Sequence, residues 1–123
     1  MKKILYLEDE EELREMVESF LNRKGYQVNS YPNPVEFIGN KDKDVSSYNL
    51  VLTDINMPYM TGIKFVKDYI VDKGIKIPVI FNSGVDSTED IKKAGIMNFS
   101  ILLKPTQPSE LENKIKEIFN KIE

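Results

Sequence analysis

Apolar positions along the chain switch repeatedly between short unbroken blocks and helical spacing. Ile4-Leu5-Tyr6-Leu7 is a block stopped by charge, and Leu13, Met16, Val17, Phe20 and Leu21 then recur three and four residues apart, which predicts a strand followed by a helix. Asp9 and Glu12 have the spacing of a capping box, and Gly25 after Lys24 reads as the helix stop. Tyr26 to Tyr31 predicts a second strand, and Asn33-Pro34-Val35-Glu36 a helix start with Asn as cap and Pro in the first turn. The polar stretch from Lys41 to Ser47 reads as a surface loop. Leu50-Val51-Leu52-Thr53 is a third strand ending at Asp54. After Gly62, residues Ile63, Val66 and Ile70 share one helical face, with Gly74 as the stop. Pro78-Val79-Ile80-Phe81 predicts the fourth strand. Ser87 to Ala94 is a short helix with Ser87 and Asp90 at cap spacing and Gly95 behind it. Phe99 to Leu103 is the fifth strand, and Leu111, Ile115, Ile118, Phe119 and Ile122 stripe a final amphipathic helix whose apolar face is core.

Strand blocks apolar on both faces, each followed by a helix, imply a parallel sheet covered on both sides. Right-handed crossovers favour an open, doubly wound five-stranded α/β sheet, because five βα units are too few for an eight-stranded barrel. No internal repeat, low-complexity tract or linker-like stretch divides residues 1–123, so one domain is expected.

Composition narrows the chemistry. The 123 residues contain no Cys and no His, which excludes disulfides, thiolate or imidazole metal ligands, Cys nucleophiles and Ser-His-Asp triads. Lys and Arg number 17 against 20 Asp and Glu, a formal charge of −3, so direct nucleic-acid binding is not expected. No apolar run approaches the ~20 residues of a membrane span, and the apolar run at the N-terminus is too short for a signal peptide. The expected compartment is the cytoplasm, with no membrane partner.

In open parallel sheets, ligands bind at the carboxyl ends of the strands. Glu8 and Asp9 lead an acidic run after the first strand, Asp54 and then Asn56 follow the third, Ser83 the fourth and Lys104 the fifth. Crowded carboxylates stay ionised around a hard divalent cation such as Mg²⁺, which takes oxygen ligands and keeps room for phosphate. A lysine adds a positive point charge, a hydroxyl bonds a phosphoryl oxygen, and an Asp beside a metal is a nucleophile toward phosphorus. Glu10 to Glu12 read instead as acids favoured at a helix N-terminus. Tyr59, Met60 and Tyr69 read as surface or packing residues.

At these residues the chain resembles the receiver domains of two-component response regulators, from Lys2 to Lys121. Glu8-Asp9 match the acidic pair, Asp54 in Leu52-Thr53-Asp54-Ile55-Asn56-Met57-Pro58 the phosphoacceptor, Gly62 the loop glycine, Ser83 the hydroxyl position and Lys104-Pro105 the Lys-Pro dipeptide. The resemblance implies a flavodoxin-like sheet with strand order 2-1-3-4-5. It implies that Asp54 accepts a phosphoryl group from a phosphohistidine on a sensor histidine kinase or phosphotransfer protein. Mg²⁺ would be held by Asp9, Asp54 and the backbone carbonyl of Asn56, with Glu8 acting directly or through water. Lys104 and Ser83 would contact the phosphoryl oxygens, and the bond before Pro105 would be cis. The added charge of roughly −1.5 to −2 would re-pose the loop from Ser83 to Val85. The face built from the fourth helix, fifth strand and fifth helix would then meet a downstream protein target or a fused effector domain. Such a domain is not a dedicated enzyme: it catalyses its own phosphorylation and slow autodephosphorylation. The sequence departs from the family pattern at Ile101, where an aromatic switch residue is usual, at Glu8, where Asp is commoner, and at Gly84, where Ala is usual. Asn56 and Val85 stand at positions that tune dephosphorylation in the family.

Other functions of this fold compete. A pseudo-receiver would use the same scaffold as a phosphorylation-independent binding module, and Ile101 keeps that reading open for the output step. A phosphatase of the haloacid-dehalogenase kind needs a second Asp two residues after the nucleophile, where Asn56 stands and cannot act as a proton donor. A flavin-phosphate carrier needs a hydroxyl-rich loop after the first strand, where this chain has acids.

Overall fold

The computed structural model describes residues 1–40 and 44–122, the last without its side chain. In chain order the elements are β1 (Lys3–Leu7), α1 (Glu11–Arg23), β2 (Gln27–Tyr31), α2 (Pro34–Ile38), β3 (Leu50–Thr53), α3 (Gly62–Val66), β4 (Val79–Ser83), α4 (Thr88–Lys93), β5 (Phe99–Leu103) and α5 (Pro108–Ile122). The strands form one parallel sheet in the order β2-β1-β3-β4-β5, the doubly wound arrangement expected from the alternating pattern.

The unbroken apolar blocks have a direct cause. Successive strand side chains point to opposite faces, and here both faces are covered. Ile4, Tyr6, Leu50, Leu52 and Ile80 pack with Val17 and Leu21 of α1 and with Leu111, Ile115 and Phe119 of α5. Leu5, Leu7, Val51, Val79 and Phe81 pack on the other face with Phe37 of α2, Phe65 and Val66 of α3, and Ile91 of α4. The stripe of α5 is therefore core, while its last expected member, Ile122, lies outside the described side chains.

Helix ends correct some expectations. Asn33 caps α2 as predicted, its side chain accepting from the Glu36 N–H at 3.0 Å, and Gly25, Gly74 and Gly95 take positive φ at the three predicted stops. The Asp9–Glu12 capping box does not form. Glu10 occupies the cap position of α1 without a side-chain cap bond, and its own N–H donates to the Glu8 carboxylate at 3.1 Å. At α4, Ser87 makes no cap bond and Asp86 takes the Thr88 N–H at 3.0 Å. Thr61 caps α3 through the Lys64 N–H. The spacing from Ile63 to Ile70 continues past α3 into a π-helical turn, Lys67–Val71, where Asp72 N–H reaches the Lys67 carbonyl at 2.9 Å. In the expected loop from Lys41 to Ser47, Val45–Ser47 form a 3₁₀ turn and Asp44 accepts from Ser46 N–H, while Lys41, Asp42 and Lys43 lie outside the described residues. Among the described residues no helix is long and apolar enough to cross a membrane.

Phe65 is the junction of the α2–α3 side of the core. Its ring meets Phe37 edge-on at 5.8 Å and stacks on Tyr69 at 5.5 Å. Phe65→Ala is expected to cost about 3–5 kcal/mol through lost burial and the cavity left behind. Urea denaturation measures this, and a loss of under ~1 kcal/mol would show that the site collapses freely.

Candidate functional site

Register carries the acids to one rim. Leu7 pairs with Thr53 at the ends of β1 and β3, so Glu8 and Asp54 leave the sheet side by side, tied by Asp54 N–H to the Leu7 carbonyl at 3.0 Å. On the other side, Ser83 pairs with Leu103, and Lys104 N–H donates to the Ser83 carbonyl at 2.7 Å. From β5, the Lys104 side chain crosses toward β3 and β1. Its Nζ lies 2.8 Å from Glu8 Oε1 and 3.1 Å from Asp54 Oδ2. The Lys104–Pro105 peptide bond is cis.

Asp54 is held closely. Its Oδ1 accepts the Ile55 N–H at 2.7 Å, and Thr53 Oγ1 donates to its carbonyl at 2.8 Å. The loop returns against this carbonyl: Gly62 N–H donates to the Ile55 carbonyl at 2.9 Å. A Cβ at position 62 would lie 2.1 Å from the Asp54 carbonyl oxygen, so no residue larger than glycine fits that approach.

Carboxylate oxygens of Glu8, Asp9 and Asp54 all fall within 4.8 Å of one another. Glu8 is 1% exposed and Asp54 8%, whereas Asp9 is open to solvent. Three acids thus face one lysine. Burial pushes the Glu8 carboxyl above its usual value, with Asp54 adding to the rise, against the opposing pull of Lys104 and the Glu10 N–H. For Lys104, burial pulls the ammonium's pKa down, but the hydrogen bonds and charges of Glu8 and Asp54 outweigh it and leave a net rise. Tyr6 lies beneath, its phenol pushed up by burial first and by Glu8 and Asp54 next. An all-oxygen donor set with more negative than positive charge fits a hard divalent cation.

The remaining predicted positions lie around this cluster. Ser83 is buried as the last residue of β4, and its Oγ accepts the Val85 N–H at 3.3 Å. Asn56 is exposed in the loop after β3. Ile101 is half-buried on β5, paired with Phe81 and packed on the α2–α4 side of the core. Met60 and Tyr69 pack against that same core, whereas Tyr59 is 86% exposed and has φ 72°. Sequence reasoning passed over Arg14, whose Nη1 donates to the Glu8 carbonyl at 2.8 Å. A cation early in an acid-rich first helix, where the dipole disfavours it, is the one pattern that marks it.

Comparison with known proteins agrees with this geometry. The family model for the response regulator receiver domain matches residues 4–116. The transcriptional regulatory protein CrdR of Helicobacter pylori is 36% identical over 120 residues, covering 97% of this chain and 55% of that protein. Chemotaxis protein CheY1 of Helicobacter pylori is 30% identical, covering 94% of this chain and 95% of that one. The chain thus spans about half of the first relative and nearly all of the second. The solved structure of response regulator protein TrrA from Thermotoga maritima, in complex with Mg²⁺ and BeF, superposes with a TM-score of 0.73 at 26% identity, covering 95% and 98% of the two chains. The chain belongs to the response regulator receiver domain family.

The raised Glu8 value makes the metal-free fold pH-sensitive. Between the ordinary 4.5 of a glutamate and the higher value in the fold, the folded state keeps a proton that the unfolded chain releases. Stability therefore falls as pH rises through that window and stays reduced above it. Glu8→Gln is expected to melt several degrees above wild type at pH 7 without metal, with the gap closing toward pH 4.5, and to gain less from added Mg²⁺. Thermal melts across pH measure this, and a lower melting point for the variant at pH 7 would refute it.

Proposed function

We propose that this chain is a phosphorylation-dependent signalling switch that takes a phosphoryl group onto Asp54 in a Mg²⁺-dependent reaction. The observation that carries the reading is Lys104 Nζ reaching Glu8 and Asp54 from the far side of the sheet, beside three carboxylates within 4.8 Å. An Asp54 Oδ lone pair attacks the phosphorus of a phosphohistidine on a sensor histidine kinase or phosphotransfer protein. A P–O bond forms, the P–N bond breaks, and its electron pair leaves with the imidazole, which takes up a proton. The product is an acyl phosphate. Asp9, Asp54 and the Asn56 carbonyl would hold Mg²⁺, with Glu8 as direct or water-mediated ligand, and the cation would offset phosphate charge as it transfers.

The other residues act on the phosphoryl group. The Ile55 N–H on Oδ1 and the Gly62 approach fix the orientation of Asp54, leaving Oδ2 toward Lys104. Lys104 turns from the carboxylates to a phosphoryl oxygen, and the Ser83 hydroxyl donates to another. The new charge re-poses the loop from Ser83 to Val85 and thereby the α4-β5-α5 face. That face meets either a separate protein target or an effector domain joined to the receiver. The chain's turnover is confined to its own Asp54, and the reaction belongs to the cytoplasm. With Ile101 in place of an aromatic, the change passes through aliphatic packing against Phe81 rather than through a ring that swings.

Incubation with Mg²⁺ and a small acyl phosphate, followed by intact mass, tests this directly. One phosphoryl group is expected on the wild type and none on Asp54→Asn or without Mg²⁺. A folded wild type that gains no phosphoryl group, and does not bind beryllofluoride, would instead support a pseudo-receiver acting as a binding module.

A further inference from the structure

Asp9 is the least restrained member of the acidic cluster. It is exposed, and among the described residues its carboxylate makes no hydrogen bond or ion pair. Its placement must come from its backbone, whose two torsions are set by the peptide groups on either side. Each of those groups is held by one side chain. Arg14 Nη1 donates at 2.8 Å to the Glu8 carbonyl, which belongs to the peptide before Asp9. Glu8 Oε2 accepts at 3.1 Å from the Glu10 N–H, which belongs to the peptide after it.

Arg14 is poorly placed for any local reason. It lies early in α1, where a cation opposes the helix dipole. Glu10, Glu11, Glu15 and Glu18 stand one residue or one turn away, yet among the described residues Arg14 forms no ion pair with any of them. Its guanidinium goes instead to a carbonyl across the β1–α1 turn.

We infer that Arg14 is a positioning residue for the metal site: it orients the Glu8–Asp9 peptide so that the Asp9 carboxylate points at the cation held with Asp54. This rests on the Mg²⁺ site of the proposed function. Positioning and charge have opposite signs here. Removing a nearby positive charge by itself strengthens cation binding. Losing the bond that aims Asp9 weakens it.

Calorimetric Mg²⁺ titration of the full chain distinguishes the two, with melting temperature recorded beside it. Arg14→Ala is expected to bind Mg²⁺ about five- to tenfold more weakly, the effect of one net hydrogen bond, with a melting point within a few degrees of wild type. Arg14→Lys keeps one donor and is expected to recover part of the loss. Asp9→Asn, in an Arg14→Ala background, is expected to weaken binding less than it does alone, because Asp9 is already misaimed. Unchanged or tighter Mg²⁺ binding by Arg14→Ala overturns the inference, as does a lower melting point with unchanged affinity. A wild type that binds no Mg²⁺ overturns the underlying metal site and this inference with it.

Discussion

The rest of the site depends on repulsion among three carboxylates brought within 4.8 Å of one another. Parallel register between β1 and β3 brings Glu8 and Asp54 together, and burial strengthens every charge interaction between them. Lys104 offsets part of that charge by spanning to both, from a strand that is neither's neighbour. Burial first, with the charge of Asp54 adding to it, leaves the Glu8 carboxyl above its usual value. Such a rim is poised for two kinds of charge: a divalent cation among the acids, and an anion that draws the lysine away. Receiver chemistry, as proposed for this chain, needs both at once.

Around that charge cluster the backbone is held by hydrogen bonds. Thr53 and Ile55 fix the two ends of Asp54, and Gly62 allows the following loop to lie against its carbonyl. Arg14 and Glu8 hold the peptides flanking Asp9. The proposed nucleophile and metal ligands are thus placed by main-chain contacts, while the side chains expected to move, Ser83 and Lys104, lie at the end of β4 and just after β5, next to the α4-β5-α5 face. Ile101 lies on β5, half-buried against the core, so in the proposed switch a change at Ser83 would reach that face through aliphatic packing.

Much of this was legible in the chain. Apolar blocks of both-face strands and the 3.6-residue stripes of α1 and α5 are local consequences of burial, so element order and the parallel sheet followed from them. The chemical positions at the strand ends could be read because a parallel sheet puts every strand's carboxyl end on one side. Other features were not legible. The expected cap at Asp9 did not form, because the helix starts one residue later, with Glu10 at the cap position. The cap at Ser87 passed to Asp86 one residue earlier. The π-helical turn after Val66 leaves the spacing of its apolar residues unchanged and so has no periodic signature.

By itself, then, the sequence determined the alternation of strands and helices, the identities of the groups at the strand ends, and the absence of thiol and imidazole chemistry. These depend on residue type and on neighbours a few positions away. Only the tertiary structure decided that Lys104 reaches Glu8 and Asp54 across 96 and 50 residues of chain, that Gly62 must be glycine, and that Arg14 serves the Glu8 carbonyl rather than a glutamate of its own helix. Those outcomes turn on contacts such as the 2.8 and 3.1 Å of Lys104 to Glu8 and Asp54, between segments remote in sequence, and packing sets such distances.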